Sequence, residues 1–438
     1  MRLKKFYIYI FVFFLSFSFI FSNSTSFSTN ESQPTVNAPV CLLMEANTGK
    51  ILYEKNAYEK RYPASTTKIM TAILALENCD LNEVASVSNN AIFSVPLGYT
   101  NANLQVDEKL TIEQLLNVLL IPSANDAANV IAEYIAGSEE SFASMMNTKA
   151  LEIGCKNTHF VNANGVHDEN HYSTAYDLAL IGQYAMKNDT FRNLVLKIRY
   201  TLPITNKYDK EDRIFINTNK LVNPKSSQYY SFSTGIKTGY TDSAKNCIVA
   251  SAKKDNMELI CVVLGADNDI STNTNKFADC ICLFNYGFNN YTYKNLASKD
   301  NVYKVITPKN ASSKTKNLNL LYENSIDVII KQSDLNEVFS PEVELDNINA
   351  PIEKGSVVGK LSYTIDGINY TTNLIAGQDI FSSSIFSIVF KILVIITILY
   401  LLKTIFIGKN KKKKRKNNKK KKKKQSSKDR FSPYRFDY

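Results

Sequence analysis

From Ile385 to Ile407 the chain runs through 23 residues that are apolar apart from two lysines and a few hydroxyls. A stretch of that length can cross the roughly 30 Å hydrocarbon core of a bilayer as a somewhat tilted helix. Lys391 and Lys403 lie towards its ends, where long cationic side chains reach the head groups. Directly after it come Lys411 to Lys416 and Lys419 to Lys424, lysine throughout except for Arg415. Cationic residues beside a span stay on the cytoplasmic side. Residues 408–438 therefore read as a cytoplasmic, lipid-attracting tail, and the body before the span as extracellular. At the other terminus Arg2, Lys4 and Lys5 precede an apolar run from Phe6 to Phe21 and then small polar residues. That is the layout of a secretory signal peptide over residues 1–24, with a small-x-small cleavage site at Ser22-Asn23-Ser24. Left uncut it would anchor the chain; in either case the body is exported. The expected location is the cell membrane, crossed once by the C-terminal helix.

The formal charge of +11 invites a nucleic-acid reading until it is located. Residues 409–438 hold sixteen Lys or Arg against Asp429 and Asp437, more than the whole net charge, so the exported body is acidic. A basic nucleic-acid-binding domain is excluded on that ground. Seven cysteines (Cys41, Cys79, Cys155, Cys247, Cys261, Cys280 and Cys282) are scattered without CxxC or Cys/His metal spacing. An odd count leaves at least one free thiol, and these residues read as small core side chains.

Residues 25–37, rich in Ser, Thr and Asn, read as a linker. From Ala38 the pattern is mixed. Val40 to Met44 and Ile51 to Tyr53 predict a hairpin turning at Asn47-Thr48-Gly49. Ala64 to Glu77 predicts a helix, with Ile69, Ala72, Ile73 and Leu76 at helical spacing. Further helices are expected over 112–119, 126–136, 140–153, 175–186 and 277–286, and a hairpin pairs 246–252 with 258–264. After about Asn295 short β-rich segments take over. The pattern is thus a mixed domain of hairpins and helices over 38–295, a small all-β domain over 296–380, then the transmembrane helix over 385–407.

Three short motifs occur in order: Ser65-Thr66-Thr67-Lys68, Ser123-Ala124-Asn125 and Lys237-Thr238-Gly239. Ser65 opens the amphipathic helix that begins after Tyr62-Pro63-Ala64, so Ser65 and Lys68 share one face at its N-terminus. A serine hydroxyl is a poor nucleophile until a base takes its proton, and lysine can do so only when neutral. The helix dipole, partial burial and a second lysine all lower the lysine pKa. Ser313 and Lys316 repeat the spacing without a following helix and fail this test, and Ser28, Ser88 and Ser271 carry a bare Ser-x-Asn. Ser123 and Asn125 sit between two helical runs, where a hydroxyl can relay a proton and an amide can bond a substrate carbonyl. On a sheet edge, Lys237 supplies charge, Thr238 a hydroxyl for a carboxylate, and Gly239 room for a ligand backbone. Each motif alone could be an ordinary cap or turn. His159, His167 and His171 cluster without a G-x-S-x-G elbow around Ser65, so a Ser/His/Asp triad is rejected and structural roles are expected for them.

Ser-x-x-Lys, Ser-x-Asn and Lys-Thr-Gly in that order are the signature of β-lactamases and penicillin-binding proteins. The likeness extends to Leu43-Met44-Glu45-Ala46-Asn47-Thr48-Gly49-Lys50, Lys68-Ile69-Met70-Thr71-Ala72, Asn125-Asp126-Ala127-Ala128, Asn164-Gly165, His171-Tyr172-Ser173-Thr174-Ala175 and Gly235-Ile236-Lys237-Thr238-Gly239-Tyr240-Thr241. In these the chain resembles the low-molecular-weight serine D-alanyl-D-alanine carboxypeptidases, over about 38–288. Ala350-Pro351-Ile352-Glu353-Lys354-Gly355 with Gly359 resembles that family's C-terminal β domain.

The resemblance implies the fold class α/β, a β-lactamase/transpeptidase-like catalytic domain with an antiparallel sheet packed with helices, and the removal of terminal D-alanine from peptidoglycan stem peptides through an acyl-enzyme. It also implies capture by β-lactam antibiotics, and no metal or cofactor. Ser65 would be acylated, Lys68 would be the base, Ser123 the relay and Asn125 a peptide-binding amide. Lys237, Thr238 and Gly239 would form the carboxylate pocket, and the N–H groups of Ser65 and Tyr240 the oxyanion hole. Two departures stand out. The family commonly carries an arginine shortly before the closing helix, where this chain has Lys276, which keeps the charge and loses bidentate geometry. The family's usual anchor is an amphipathic surface helix, whereas this segment is apolar all round and predicts a true span. A β-lactamase of the same fold is the rival enzyme, disfavoured by the appended β domain and by the lack of a convincing glutamate motif for deacylation. A non-catalytic wall- or penicillin-binding protein is the rival from another class, and intact Ser65, Lys68 and Lys237 argue against it.

Overall fold

Strand β1 (Val40–Glu45) is buried along its whole length. Val40, Leu42 and Met44 turn to one face of its sheet, into a core shared with Ile69 and Ile73. Cys41 and Leu43 turn to the other face, against Cys280, Leu283 and Phe284. A strand whose alternating side chains are buried on both faces needs helices above and below it, which is why its sequence is a continuous apolar run rather than an alternating one.

The computed structural model describes residues 33–268, 275–382 and 389–406. The expected signal peptide, most of the linker, the basic tail, and Ser28 and Ser271 lie outside them. The first compact unit runs to residue 293 and takes back residues 329–336. Its five-stranded sheet has the order β2 (Ile51–Lys55), β1, β5 (Met257–Ala266), β4 (Lys245–Lys254), β3 (Ser233–Thr241). Every neighbouring pair is antiparallel. Helix α7 (Lys276–Asn290) covers one face. The other face carries α1 (Lys68–Asn78), α2 (Ile112–Leu120), α3 (Asn125–Ala136), α4 (Glu139–Ile153), α5 (Ala175–Ala185) and α6 (Asp189–Leu196). Both expected hairpins and all the expected helices are present, with ends shifted by a few residues.

One expectation is corrected. Residues 64–67 do not begin the α-helix but form a 3₁₀ turn, and α1 starts at Lys68. The backbone N–H of Lys68 bonds Ser65 O and Thr66 Oγ1 donates to Pro63 O, i→i−3 contacts that tighten this stretch. Elements absent from the sequence reading include α6, a short helix Asn89–Phe93, the pairing of Val84–Ser86 with Lys109–Thr111, and that of Arg199–Leu202 with Arg213–Ile216, whose ten intervening residues carry no period.

The second unit, residues 294–328 and 337 onward, holds a five-stranded antiparallel sheet in the order β6 (Val302–Ile306), β7 (Leu318–Tyr322), β10 (Ile368–Ala376), β9 (Val357–Ile365), β8 (Glu342–Leu345). It is the expected all-β domain. Beyond it, Val389–Phe406 is one helix, long and apolar enough to cross a membrane.

Candidate active site

The 3₁₀ turn decides where the first motif points. Three residues per turn eclipse positions i and i+3, so Ser65 and Lys68 align more closely than on an α-helix. Lys68 Nζ lies 2.9 Å from Ser65 Oγ. It also lies 2.6 Å from Asn125 Oδ1 and 2.5 Å from the backbone oxygen of Asn164. Both of these oxygens can only accept. A neutral amine has two hydrogens and one lone pair, so with both hydrogens spent on the two asparagine oxygens the lone pair is left for the Ser65 hydroxyl. Lys68 is fully buried. Burial pushes its ammonium well below the ordinary lysine range, the charge of Lys237 adds to the effect, and Asp126 opposes it. Asp126 is itself buried, and it accepts from the backbone N–H groups of Ala102, Leu104 and Ala127.

The loop that supplies Asn164 is pinned on several sides. Thr71 Oγ1 donates to Ala163 O, and Gly165 lies where any Cβ would strike the carbonyl of Ala64. His171 is buried and takes the Val161 N–H on Nδ1, so its Nε2 carries the proton and donates to Thr67 Oγ1 at 2.8 Å. Burial pushes its pKa down to about 3. Its bond to Thr67 tethers the nucleophile turn, a structural role as expected.

Opposite the turn runs edge strand β3. Gly239 meets the turn so closely that a Cβ there would sit 2.9 Å from Ser65 N. Lys237 is buried, its Nζ bonding Thr238 O at 2.9 Å. Burial and the charge of Lys276 lower its pKa to about 7. Lys276 Nζ bonds Asn246 Oδ1 at 3.2 Å and Gly239 O at 3.3 Å, and burial lowers its own pKa to about 8. Ser65, Ser123, Asn125, Thr238, Gly239, Tyr240 and Lys276 all line one cleft of about 910 Å³. Ser123 reaches it from a left-handed backbone, φ 75°, of the kind that concentrates at functional sites. Asn125 gives its oxygen to Lys68 and one Nδ2 hydrogen to Thr100 O at 2.8 Å, and the amide nitrogen keeps a second hydrogen to donate.

Residues 27–268 match the model of the D-alanyl-D-alanine carboxypeptidase family, and residues 291–381 that of the penicillin-binding protein 5 C-terminal domain. The chain belongs to the D-alanyl-D-alanine carboxypeptidase family. The D-alanyl-D-alanine carboxypeptidase DacF of Bacillus subtilis is 35% identical over 75% of this chain and 82% of its own length. Penicillin-binding protein 5 of Haemophilus influenzae superposes with a TM-score of 0.64 at 26% identity, over 80% of this chain and 99% of that one. The DD-transpeptidase of Streptomyces K15 superposes at 0.54 and 34% identity, over 59% of this chain and 99% of that one. This carboxypeptidase is thus a serine enzyme of the low-molecular-weight penicillin-binding class, with the family's catalytic fold and C-terminal β domain.

Sequence reasoning missed three parts of the carboxypeptidase cleft: the Asn164 carbonyl as a partner of Lys68, Asn246 as a partner of Lys276, and Thr218, whose Oγ1 is 2.6 Å from Thr238 Oγ1. The seven cysteines are free thiols, five of them buried. Burial raises Cys41 and Cys155 to about 12, as suits packing rather than chemistry.

Proposed function

We propose that Ser65 is the acylated nucleophile, with Lys68 its base and Ser123 the relay to the leaving group. The carrying observation is the three-way contact of Lys68 Nζ, which leaves its lone pair to Ser65 Oγ. In this reading Ser65 Oγ attacks the carbonyl carbon of the penultimate D-alanine while its proton passes to Lys68 Nζ. The developing oxyanion is held by the N–H groups of Ser65 and Tyr240. Collapse breaks the peptide bond, and a proton delivered through Ser123 lets terminal D-alanine leave as the amine. Water then attacks the ester and frees the shortened stem peptide. Lys237 and Thr238 receive the terminal carboxylate, Gly239 keeps the Ser65 amide accessible, and Asn125 fixes Lys68 with its oxygen while its second amide hydrogen bonds the stem peptide.

A β-lactam enters the same path but its amine stays tethered after ring opening, so the acyl-enzyme persists. Stem peptides of the wall are therefore the substrate and β-lactams the inhibitors. The helix Val389–Phe406 and the basic residues after it favour a single-pass membrane protein with its catalytic unit outside. Intact-mass analysis after labelling with penicillin should show one adduct on Ser65 and none on Ser65→Ala. Undiminished labelling of Ser65→Ala would overturn the assignment.

A further inference from the structure

Asn217, Thr218 and Asn219 stand in the cleft wall facing β3, and no motif in the sequence marks them. Their burial alternates: Asn217 and Asn219 are buried, and Thr218 between them is exposed into the cleft. The two asparagines hold the backbone in place. Asn217 Nδ2 donates to Lys197 O and Val195 O, Asn217 Oδ1 accepts from Asn219 N, and Asn219 Oδ1 accepts from Leu221 N. Thr218 N donates to Ile121 O, beside the segment that carries Ser123. The one side chain this frame turns into the cleft places its hydroxyl 2.6 Å from that of Thr238.

A hydroxyl has one hydrogen to give. Within the touching pair one oxygen donates and the other accepts. If Thr238 is to donate to a carboxylate, the hydrogen between the two hydroxyls has to come from Thr218. We infer that Thr218 is a positioning residue of the carboxylate pocket: by donating to Thr238 Oγ1 it turns the Thr238 hydrogen towards the terminal carboxylate of the substrate. This rests on the reading above that Thr238 receives that carboxylate. Removing the Thr218 hydroxyl frees Thr238 to point its hydrogen elsewhere, so the loss falls on ligands with a free carboxylate and not on those without one.

The test uses the full-length chain with two near-isosteric replacements, Thr218→Val and Thr218→Ser, and measures acylation by benzylpenicillin and by its methyl ester. A hydrogen bond to a charged group is typically worth enough to change binding roughly tenfold or more. Thr218→Val should therefore lose roughly tenfold in the second-order rate constant with benzylpenicillin and little with the ester, and Thr218→Ser should restore the parent ratio. With a pentapeptide ending in D-alanyl-D-alanine the loss should appear in KM more than in kcat. Equal losses on both β-lactams, or none on either, would overturn the role of Thr218. An adduct still found on Ser65 in that case would leave the nucleophile assignment intact, whereas an adduct elsewhere would bring down the site reading itself.

Discussion

Replacing Gly165 by alanine should damage catalysis although the residue touches no substrate. The backbone here is left-handed, φ +83°, which costs a residue with a Cβ about 1–2 kcal/mol. The added carbon would also lie 2.0 Å from Ala64 O, 2.5 Å from Ala64 C and 3.0 Å from Ser65 N. A non-bonded carbon needs about 3.5 Å, so loop and turn have to part by about 1.5 Å. Overpacking of this kind costs about 1–3 kcal/mol, for a total loss of about 2–5 kcal/mol. The displaced atoms are the peptide that carries the nucleophile on one side and, one residue away on the other, the carbonyl that orients Lys68. A shift of about 1 Å at a reacting pair costs roughly a hundredfold in rate, and that is the expected fall in acylation by a fluorescent penicillin. Gly137→Ala is the control. Its φ is +77°, yet nothing lies within 4 Å of its Cβ, so it should lose about 1–2 kcal/mol of stability and no acylation rate. If Gly165→Ala acylated within about threefold of the parent, and lost no more Tm than Gly137→Ala, the steric argument for the cradle would be wrong.

Two further expectations follow from charge. With Lys237 lowered to about 7 and Lys276 to about 8, the cleft loses positive charge as pH rises through that range, so kcat/KM for a carboxylate substrate should fall on its alkaline limb. Lys276→Gln removes one of the two causes that lower Lys237 and should move that limb to higher pH; an unmoved limb would refute the coupling. Protonation of Lys68 sets the acid limb, which should stay in Lys276→Gln. For the membrane reading, protease added to intact protoplasts should remove the catalytic unit and spare a C-terminal epitope, and carbonate should not extract the protein. Release by carbonate would exclude the span.

The parts of the site legible in the sequence are those where chemistry demands a residue type. A base one turn from a serine has to be a lysine or similar, and a charge beside a carboxylate pocket has to be basic, so Ser65, Lys68 and Lys237 stand out by type and spacing. The 3₁₀ turn could not be read because the residues at helical spacing, Ile69, Ala72, Ile73 and Leu76, all follow Lys68 and say nothing of residues 64–67; Thr66 bonding back to Pro63, a contact with no period, tightens that stretch. The third partner of Lys68 is a backbone oxygen, which any residue at 164 possesses, so no side-chain pattern announces it. The same limit explains Thr218, whose place in the cleft is set by two asparagines bonding to main chain at 195, 197 and 221.

Lys276 shows the limit from the opposite side. Its departure from arginine is visible in the sequence, yet the consequence depends on burial. An exposed lysine there would differ from arginine mainly in geometry, whereas a buried one with a pKa near 8 makes the pocket's charge depend on pH. The sign for stability follows from the same shift. Below about 8 the folded protein holds that proton at a desolvation cost. Between about 8 and 10.4, the ordinary value in the unfolded chain, the unfolded state binds more protons than the folded one, so stability rises with pH across that window. Arginine at 276 would stay charged throughout and would remove this residue's share of the rise. Lys276→Arg therefore separates the two properties that the single substitution joins: the bidentate fork would return, and with it an alkaline limb governed by Lys237 alone.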